Sequence, residues 1–117
     1  MRISFSADEG VRSALERVGR TEDVQFSPSG RRVAVAGYKA HRVLVFDVLI
    51  DLDADPPQVA VSGCLEVSSP ALNNPHGVSW IDDDSFAVAN RHGHVTISRL
   101  GSIALGRDGG SPERQAP

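Results

Sequence analysis

The chain has 117 residues, of which 40% are hydrophobic and 23% charged, which is the composition of one small globular domain. Its net charge of −3 is too small to indicate nucleic acid or an anionic membrane as a partner. One cysteine excludes an internal disulfide framework and a cysteine-based zinc site. The first five residues contain no apolar run long enough for a secretory signal, and no stretch approaches the roughly 20 apolar residues of a membrane span. We therefore expect a cytoplasmic protein, or a piece of one.

The first part of the chain predicts a strand followed by a short helix. Residues 2–5 alternate apolar and polar side chains, as a half-buried strand does. Ser6 and Glu9 have the spacing of a capping box, in which a hydroxyl and a carboxylate bind the free amides of a helix start. Apolar residues then recur at helical spacing (Val11, Ala14, Leu15, Val18). We predict a helix over 7–18 and treat residues 1–20 as an N-terminal extension.

Residues 21–70 predict a four-stranded antiparallel meander, because short apolar segments are joined by short links. Pro28 and Gly30 suit a tight turn between the first two strands. The second strand is apolar throughout, as expected of a strand buried on both faces. A longer acidic loop over 49–57 precedes the last strand, which we place at an edge of the sheet. The strands are predicted at 22–26, 32–37, 42–48 and 59–67.

The same pattern returns over residues 71–106. Val78 and Trp80 fall where Val24 and Phe26 fell, at an offset of 54 residues (24 to 78). Later strands keep offsets of 53 (33 to 86) and 52 (43 to 95), with the differences falling in turns. Gaps confined to turns are typical of a structural repeat. We predict an incomplete second meander, whose fourth strand would begin at 101–105, and a disordered tail over 107–117.

Both units resemble blades of β-propellers of the broad WD40, lactonase and NHL class. The resemblance rests on Phe26-Ser-Pro-Ser-Gly30 and on Val45-Phe46-Asp47 at the end of the third strand, and it covers about residues 20–105. It implies an all-β fold made of two blade-like meanders with a short N-terminal helix. The Gly-His and Trp-Asp signatures of a true WD40 repeat are absent from the sequence.

Two blades raise a question of closure, because propellers typically contain roughly four to eight. One resolution is that the chain is a fragment of a longer propeller. A second is a homo-oligomer that completes a ring by symmetry, with three copies giving six blades. A third is a small sandwich of the two meanders, with the helix covering an edge. The sequence leaves all three open.

Glu22 and His76 occupy equivalent positions just before the first strand of each unit. In propellers that strand lines the central channel, so a carboxylate and an imidazole would meet at its entrance. The arrangement is similar to gluconolactonase-type propellers, in which a Glu opens the first blade and a Pro-Asn-Gly-x-x-Trp motif supplies an Asn to a divalent metal. The matching run here is Pro75 to Trp80, and His76 stands where the Asn would. Glu22 and His76 are therefore the candidate ligand or metal residues.

Other clusters have a simpler structural interpretation. His92 and His94 supply only two metal ligands, and the alternating aspartates of the acidic loop lack the glycine and glutamate of a calcium loop (Asp51, Asp53, Asp55). Asp82 to Asp84 replace the Pro-Ser-Gly turn of the first unit and suit an Asx turn. Cys64 indicates a buried, inert thiol. A weakly basic rim is expected from residues around two turns (Arg31, Arg32, Lys39, His41, Arg42).

These observations favour a non-catalytic binding module of the propeller type, or a fragment of one, and they assign no catalytic residue and no resident cofactor. The alternative is part of a lactonase-like, metal-dependent hydrolase with its site at the channel entrance. A gene remnant without activity is the third reading. We expect no nucleic-acid or membrane partner, and the sequence does not identify the protein or small molecule that would bind.

Overall fold

The computed structural model describes residues 2–100 and 115–116. One helix and nine strands follow each other along this part of the chain. They are β1 (Ser4–Ala7), α1 (Glu9–Val18), β2 (Thr21–Phe26), β3 (Arg32–Gly37), β4 (Arg42–Asp51), β5 (Gln58–Ser68), β6 (Pro75–Asp82), β7 (Ser85–Asn90), β8 (Val95–Arg99) and β9 (Gln115–Ala116).

The first sheet has five strands in the order β1-β5-β4-β3-β2. Strands β2 to β5 form the predicted antiparallel meander, and β1 adds to it in parallel, with Ser4 opposite Gln58 and Ala7 opposite Val61. The second sheet has the order β6-β7-β8-β9. Its first three strands are an antiparallel meander, and the two residues of β9 pair with β8.

The two sheets pack face to face over a shared apolar core. Alternate residues of β3 and β4 point into it from the first sheet, since successive side chains of a strand face opposite sides. The second sheet contributes its larger residues. Trp80 packs at the border, where its ring and that of Phe86 form a T-shaped pair with centroids 5.2 Å apart. The buried members are Ala34, Ala36, Val43, Val45, Leu65, Val67, Leu72, Val78, Phe86, Val88 and Leu100.

Helix α1 packs on the opposite face of the first sheet. Its apolar stripe, Val11, Ala14 and Val18, joins a second core with outward-facing residues of β3 and β4. The helix begins at the N-cap Asp8, whose Oδ1 accepts a hydrogen bond of 2.9 Å from the Val11 amide. It ends at Gly19, which has a φ of 69° that favours glycine. Among the described residues, no helix has the length and apolar character to cross a bilayer.

Several sequence predictions need correction at the ends of elements. The helix spans 9–18 rather than 7–18. Ser6 lies in β1, where it pairs with Ala60 of β5, and Asp8 supplies the helix cap instead. β4 continues to Asp51, so the acidic loop starts later than predicted. β5 is not an edge strand, because β1 pairs along its outer side.

The predicted architecture of two four-stranded meanders is correct only in part. β1 makes the first sheet five-stranded, and in the second sheet only two described residues pair with β8. The sandwich alternative placed the helix over an edge of the sheets, whereas α1 covers a face of the first sheet. The predicted strand at 101–105 lies outside the described residues, as does the tail except for β9, which is strand rather than disordered. The division of the chain after residues 20, 70 and 106 stays a prediction.

Substitution of Gly37 tests how closely the helix packs on β3. A Cβ at this position would overlap Cγ2 of Val18 and come within 3.3 Å of the Arg42 carbonyl oxygen. We expect Gly37→Ala to lower the free energy of unfolding by about 1–3 kcal/mol, the usual effect of overpacking. Adding Val18→Ala should recover part of this loss in urea unfolding. The control is Gly10→Ala, where the new Cβ meets only Asp8 Oδ1 at 3.5 Å, and a stability loss there like that of Gly37→Ala would contradict the assignment.

Glu66 ties the helix to the first sheet and makes stability depend on pH. Its carboxylate accepts from Arg17 of α1 at 3.1 Å and from Arg42 of β4 at 2.8 Å. Desolvation raises the pKa of Glu66, but the hydrogen bonds from Arg42 and Arg17 outweigh it, and the pKa is lowered overall. The ion pairs of Glu66 therefore stabilise the fold fully above the pKa of the unfolded state, near 4.5. This stabilisation is lost as the pH falls through the lower pKa of the folded state.

We therefore expect Glu66→Gln to destabilise the chain at neutral pH and to flatten the acid limb of its stability profile. Urea midpoints measured from neutral pH down to about pH 3 test this. The exposed Glu16→Gln variant should keep the wild-type profile. An unchanged acid limb in Glu66→Gln would show that the ion pairs do not hold the helix.

Candidate functional site

The candidate site lies where β2 and β6 begin. We call this the entry end, and it comprises the chain just before these two strands together with the links β3–β4 and β7–β8. The strand pairings bring these segments together, with Thr21 opposite Gly37 and Pro75 opposite Asn90. The two sheets are joined here, because the Asn74 amide donates to Nδ1 of His41 at 2.9 Å.

Glu22 and His76 are the extra residues of two equivalent β-bulges. In the pairing of β2 with β3 the register shifts between Thr21 and Asp23, and in the second sheet it shifts between Pro75 and Gly77. A bulge leaves its extra residue outside the ladder and re-aims its side chain, and bulges are frequent next to functional sites. The repeat therefore preserves a local distortion as well as the strands.

The two predicted residues meet across the sheets. His76 Nε2 lies 3.5 Å from Glu22 Oε1, and Glu22 Oε2 accepts from Arg20 Nε at 2.8 Å. The Arg20 guanidinium lies 4.6 Å from the centre of the Tyr38 ring, a cation–π contact that holds it in place. The carboxylate is the least exposed member, at 17%, whereas Arg20 is 56% and His76 55% exposed. A ligand that approaches from solvent therefore reaches Arg20 and His76 before Glu22.

The entry end also carries all four histidines of the chain. His41 lies in the β3–β4 link, His76 in the bulge of β6, and His92 and His94 in the β7–β8 link. Lys39 and Arg91 lie in the same two links and are exposed. The opposite end carries the aspartates of the links β4–β5 and β6–β7. The histidines thus gather at one end of the described part of the chain, beside the Arg20–Glu22 pair, and these aspartates gather at the other end together with Arg31 and Arg32.

Asp23 connects the two sheets just beyond the Glu22 bulge. Its Oδ2 accepts from the Val78 amide of β6 at 3.0 Å, while Oδ1 accepts from the Val24 amide at 2.9 Å and the Gln25 side chain at 3.1 Å. Trp80 Nε1 donates to the Gln25 carbonyl at 2.9 Å. Sequence reasoning missed this role of Asp23, because its partner is a backbone amide that any residue type would supply.

Contacts at the opposite end continue this line between the sheets. The Ser29 amide donates to Asp83 Oδ1 at 3.1 Å, and Arg32 donates to the Asp83 carbonyl at 2.7 Å and to Asp84 Oδ1 at 3.0 Å. Hydrogen bonds from the side chain and backbone of Ser29 lower the pKa of Asp83. The predicted Asx turn is present, since the Asp84 amide donates to Asp82 Oδ1 at 2.8 Å. Arg32 thus serves the contact between sheets and not one basic rim with Lys39 and His41, which lie at the entry end.

The other sequence candidates do not assemble into metal sites. Within residues 2–100 and 115–116, no three His, Cys, Asp or Glu side chains are arranged to hold an ion. Asp51 Oδ1 instead accepts from the Asp53 amide at 3.0 Å, and His94 contributes its carbonyl oxygen to the Asn90 side chain. Cys64 is half-buried rather than buried. Desolvation, reinforced by the Glu66 charge, raises the pKa of its thiol, which agrees with the predicted low reactivity.

Comparison with known families decides the nature of the fold. A family model described as the lipoprotein LpqB beta-propeller domain matches residues 6–116, nearly the whole chain. The chain belongs to this family. The predicted resemblance to propeller blades is therefore confirmed for a fragment of a β-propeller, and the two sheets of the LpqB-type domain are consistent with blades. No curated protein and no solved structure matched the chain.

The match leaves the finer predictions where they stood. It does not bear on the WD40, lactonase or NHL class, or on the similarity to gluconolactonase-type propellers. The family description names a lipoprotein, which does not establish the compartment of this chain, and the cytoplasmic location stays a prediction. With Arg20 already on Glu22 and no third ligand beside His76 in the described residues, no observation supports a metal-dependent hydrolase.

Substitution of Asp23 tests the connection between the sheets. We expect Asp23→Ala to lower the free energy of unfolding by about 1–3 kcal/mol, because the partly buried Val78 amide loses its acceptor. Asp23→Asn keeps an acceptor oxygen and should cost less. Trp80→Phe removes only the indole donor and should cost about 0.5–1.5 kcal/mol. Urea unfolding provides the values, and equal stability of Asp23→Ala and the wild type would contradict the assigned contact.

Proposed function

We propose that this chain is a non-catalytic binding module of the propeller type whose entry end receives an acidic group of a partner. The observation that carries the proposal is the polarity of the entry end, where Arg20 and His76 are exposed above the less accessible Glu22. The site offers donors to a ligand, and the Glu22 carboxylate is less exposed than either donor.

The chemistry of the entry end favours a carboxylate ligand. A guanidinium offers several N–H donors in a fixed plane and forms strong, charge-assisted bonds with carboxylates. Arg20 uses its Nε for Glu22, and the Tyr38 ring supports its guanidinium. The exposed His76 imidazole offers a second donor beside Arg20.

Glu22 acts as an internal competitor for the same donors. A ligand carboxylate that approaches Arg20 and His76 shares them with Glu22, which limits affinity. Glu22 also fixes the positions of the two donors, because it lies between them. The arrangement suits reversible recognition of an acidic peptide segment rather than chemistry on a substrate.

A labelled oligoglutamate peptide tests this proposal by fluorescence anisotropy. We expect binding that weakens as the salt concentration rises, since the contact is charge-assisted. His76→Ala should weaken binding by up to about fivefold, because an exposed polar or charged contact contributes at most about 1 kcal/mol. Glu22→Gln should strengthen binding, since it removes the competing carboxylate.

The matched control is Asp53→Asn, which removes a carboxylate at the opposite end and should leave peptide affinity unchanged. Circular dichroism of each variant checks that the strands remain folded. An oligolysine peptide that binds more tightly than oligoglutamate would contradict the proposed polarity. Equal binding of the acidic peptide by His76→Ala and the wild type would contradict the proposal as well.

A further inference from the structure

Each sheet has one face outside the shared core, and the two outer faces differ in character. On the first sheet, α1 packs mainly over β4 and β5, with Val18 against Gly37 of β3, and it leaves the side of this face at β2 exposed. An apolar groove of about 510 Å³ lies on this face, and residues of α1 and of all five strands line it. Val24 and Phe26 on its floor remain 52% and 55% exposed. The groove is therefore a face of large side chains without a described cover.

The outer face of the second sheet is made of small side chains at its centre. Ala87 and Ala89 of β7 point outward, and their partners across β8 are Ile97 and Val95. Ala89 is exposed, and Val95 is 55% exposed. This face is a shallow apolar surface rather than a groove.

The contact between the two sheets inside one chain joins the same two kinds of surface. Ala34 and Ala36 of β3 supply the small side that meets the second sheet in the shared core. The large side comes from β6 and β7, with Val78, Phe86 and Val88 buried and Trp80 packed against them. Small residues thus receive large ones along the middle of the interface.

The internal repeat relates each open face to one half of this contact. Ala87 and Ala89 are the repeat equivalents of Ala34 and Ala36, at an offset of 53 residues (34 to 87). Val24 and Phe26 are the equivalents of Val78 and Trp80, which fill the large side. One chain therefore exposes both halves of the contact it already makes internally, one half at each end of its two-sheet stack.

We propose that the groove receives the outer face of the second sheet of another copy of this chain, so that copies associate head to tail. This interface is heterologous, and such interfaces close into rings when the rotation between copies permits. Roughly two to four copies would supply the roughly four to eight blades typical of propellers. The proposal is independent of what the entry end binds.

The contact between copies lacks the polar bonds of the internal one. Gly77 is the repeat equivalent of Asp23 and has no carboxylate, and Phe26 replaces Trp80 and has no indole donor. The apolar surfaces alone drive association, and we expect it to be weaker than the contact within a chain and dependent on concentration. Since α1 packs mainly over β4 and β5, Val24 and Phe26 of β2 remain accessible to a second copy.

Sedimentation velocity of the full chain tests the proposal, alone and in mixtures of two variants. Ala89→Arg blocks the small face, and Val24→Glu blocks the groove. We expect the wild type to form a species of at least twice the mass of one chain as its concentration rises. Each variant alone should remain a single chain. An equimolar mixture should form a one-to-one dimer, since each variant retains the half that the other has lost.

The mixture distinguishes this interface from other modes of association. A symmetric groove-to-groove dimer would leave Ala89→Arg able to pair with itself, which would overturn the proposal. A wild type that remains a single chain at all concentrations, or a mixture that forms no dimer, would overturn it as well. Val95→Glu is a second block of the small face, for use if Ala89→Arg does not fold. Leu52→Arg, in an exposed loop outside both faces, should associate like the wild type.

Discussion

The arrangement of the two sheets depends on hydrogen bonds between β2 and β6. Two sheets that met only through apolar side chains would have little to fix their relative position, because the hydrophobic effect is not directional. The Asp23 carboxylate supplies direction by accepting from the Val78 amide, and Trp80 adds a bond to the Gln25 carbonyl. The apolar core behind these bonds supplies most of the burial. Both are needed for one defined packing of the sheets.

The same bonds position the candidate site. Asp23 directly follows Glu22, and Val78 lies two residues after His76, so the bond between Asp23 and Val78 sets the distance between the two bulges. The bulges then turn Glu22 and His76 toward each other, to 3.5 Å. A structural contact and a candidate binding site thus share one short stretch of each inner strand. Substitutions in this stretch should be tested for stability before any change in binding is interpreted.

The sequence predicted the strands of both meanders because their apolar patterns repeat with small, turn-confined offsets. The meeting of Glu22 and His76 followed from the same repeat, once the two units were aligned. The parallel pairing of β1 was not predictable, because four residues with two apolar side chains do not specify a partner. The place of α1 also escaped prediction, since an apolar stripe on a helix shows that it packs but not on which surface.

Two features of the site required the structure because they depend on three-dimensional proximity. The four histidines are spread from residue 41 to residue 94, and only the strand pairings gather them at one end. Asp23 looked like an ordinary polar residue of an alternating strand, whereas its carboxylate bonds an amide 55 residues away. The net charge of −3 gives no sign that the histidines gather at one end and a group of aspartates at the other.

The packing of β6 on β2 is the central claim, and nuclear Overhauser contacts of the Trp80 indole proton test it most directly. In the folded, isotope-labelled chain we expect contacts from this proton to the backbone of Gln25, because Nε1 lies 2.9 Å from the Gln25 carbonyl oxygen. A well-dispersed spectrum in which the indole proton contacts only residues of the second sheet would contradict the account.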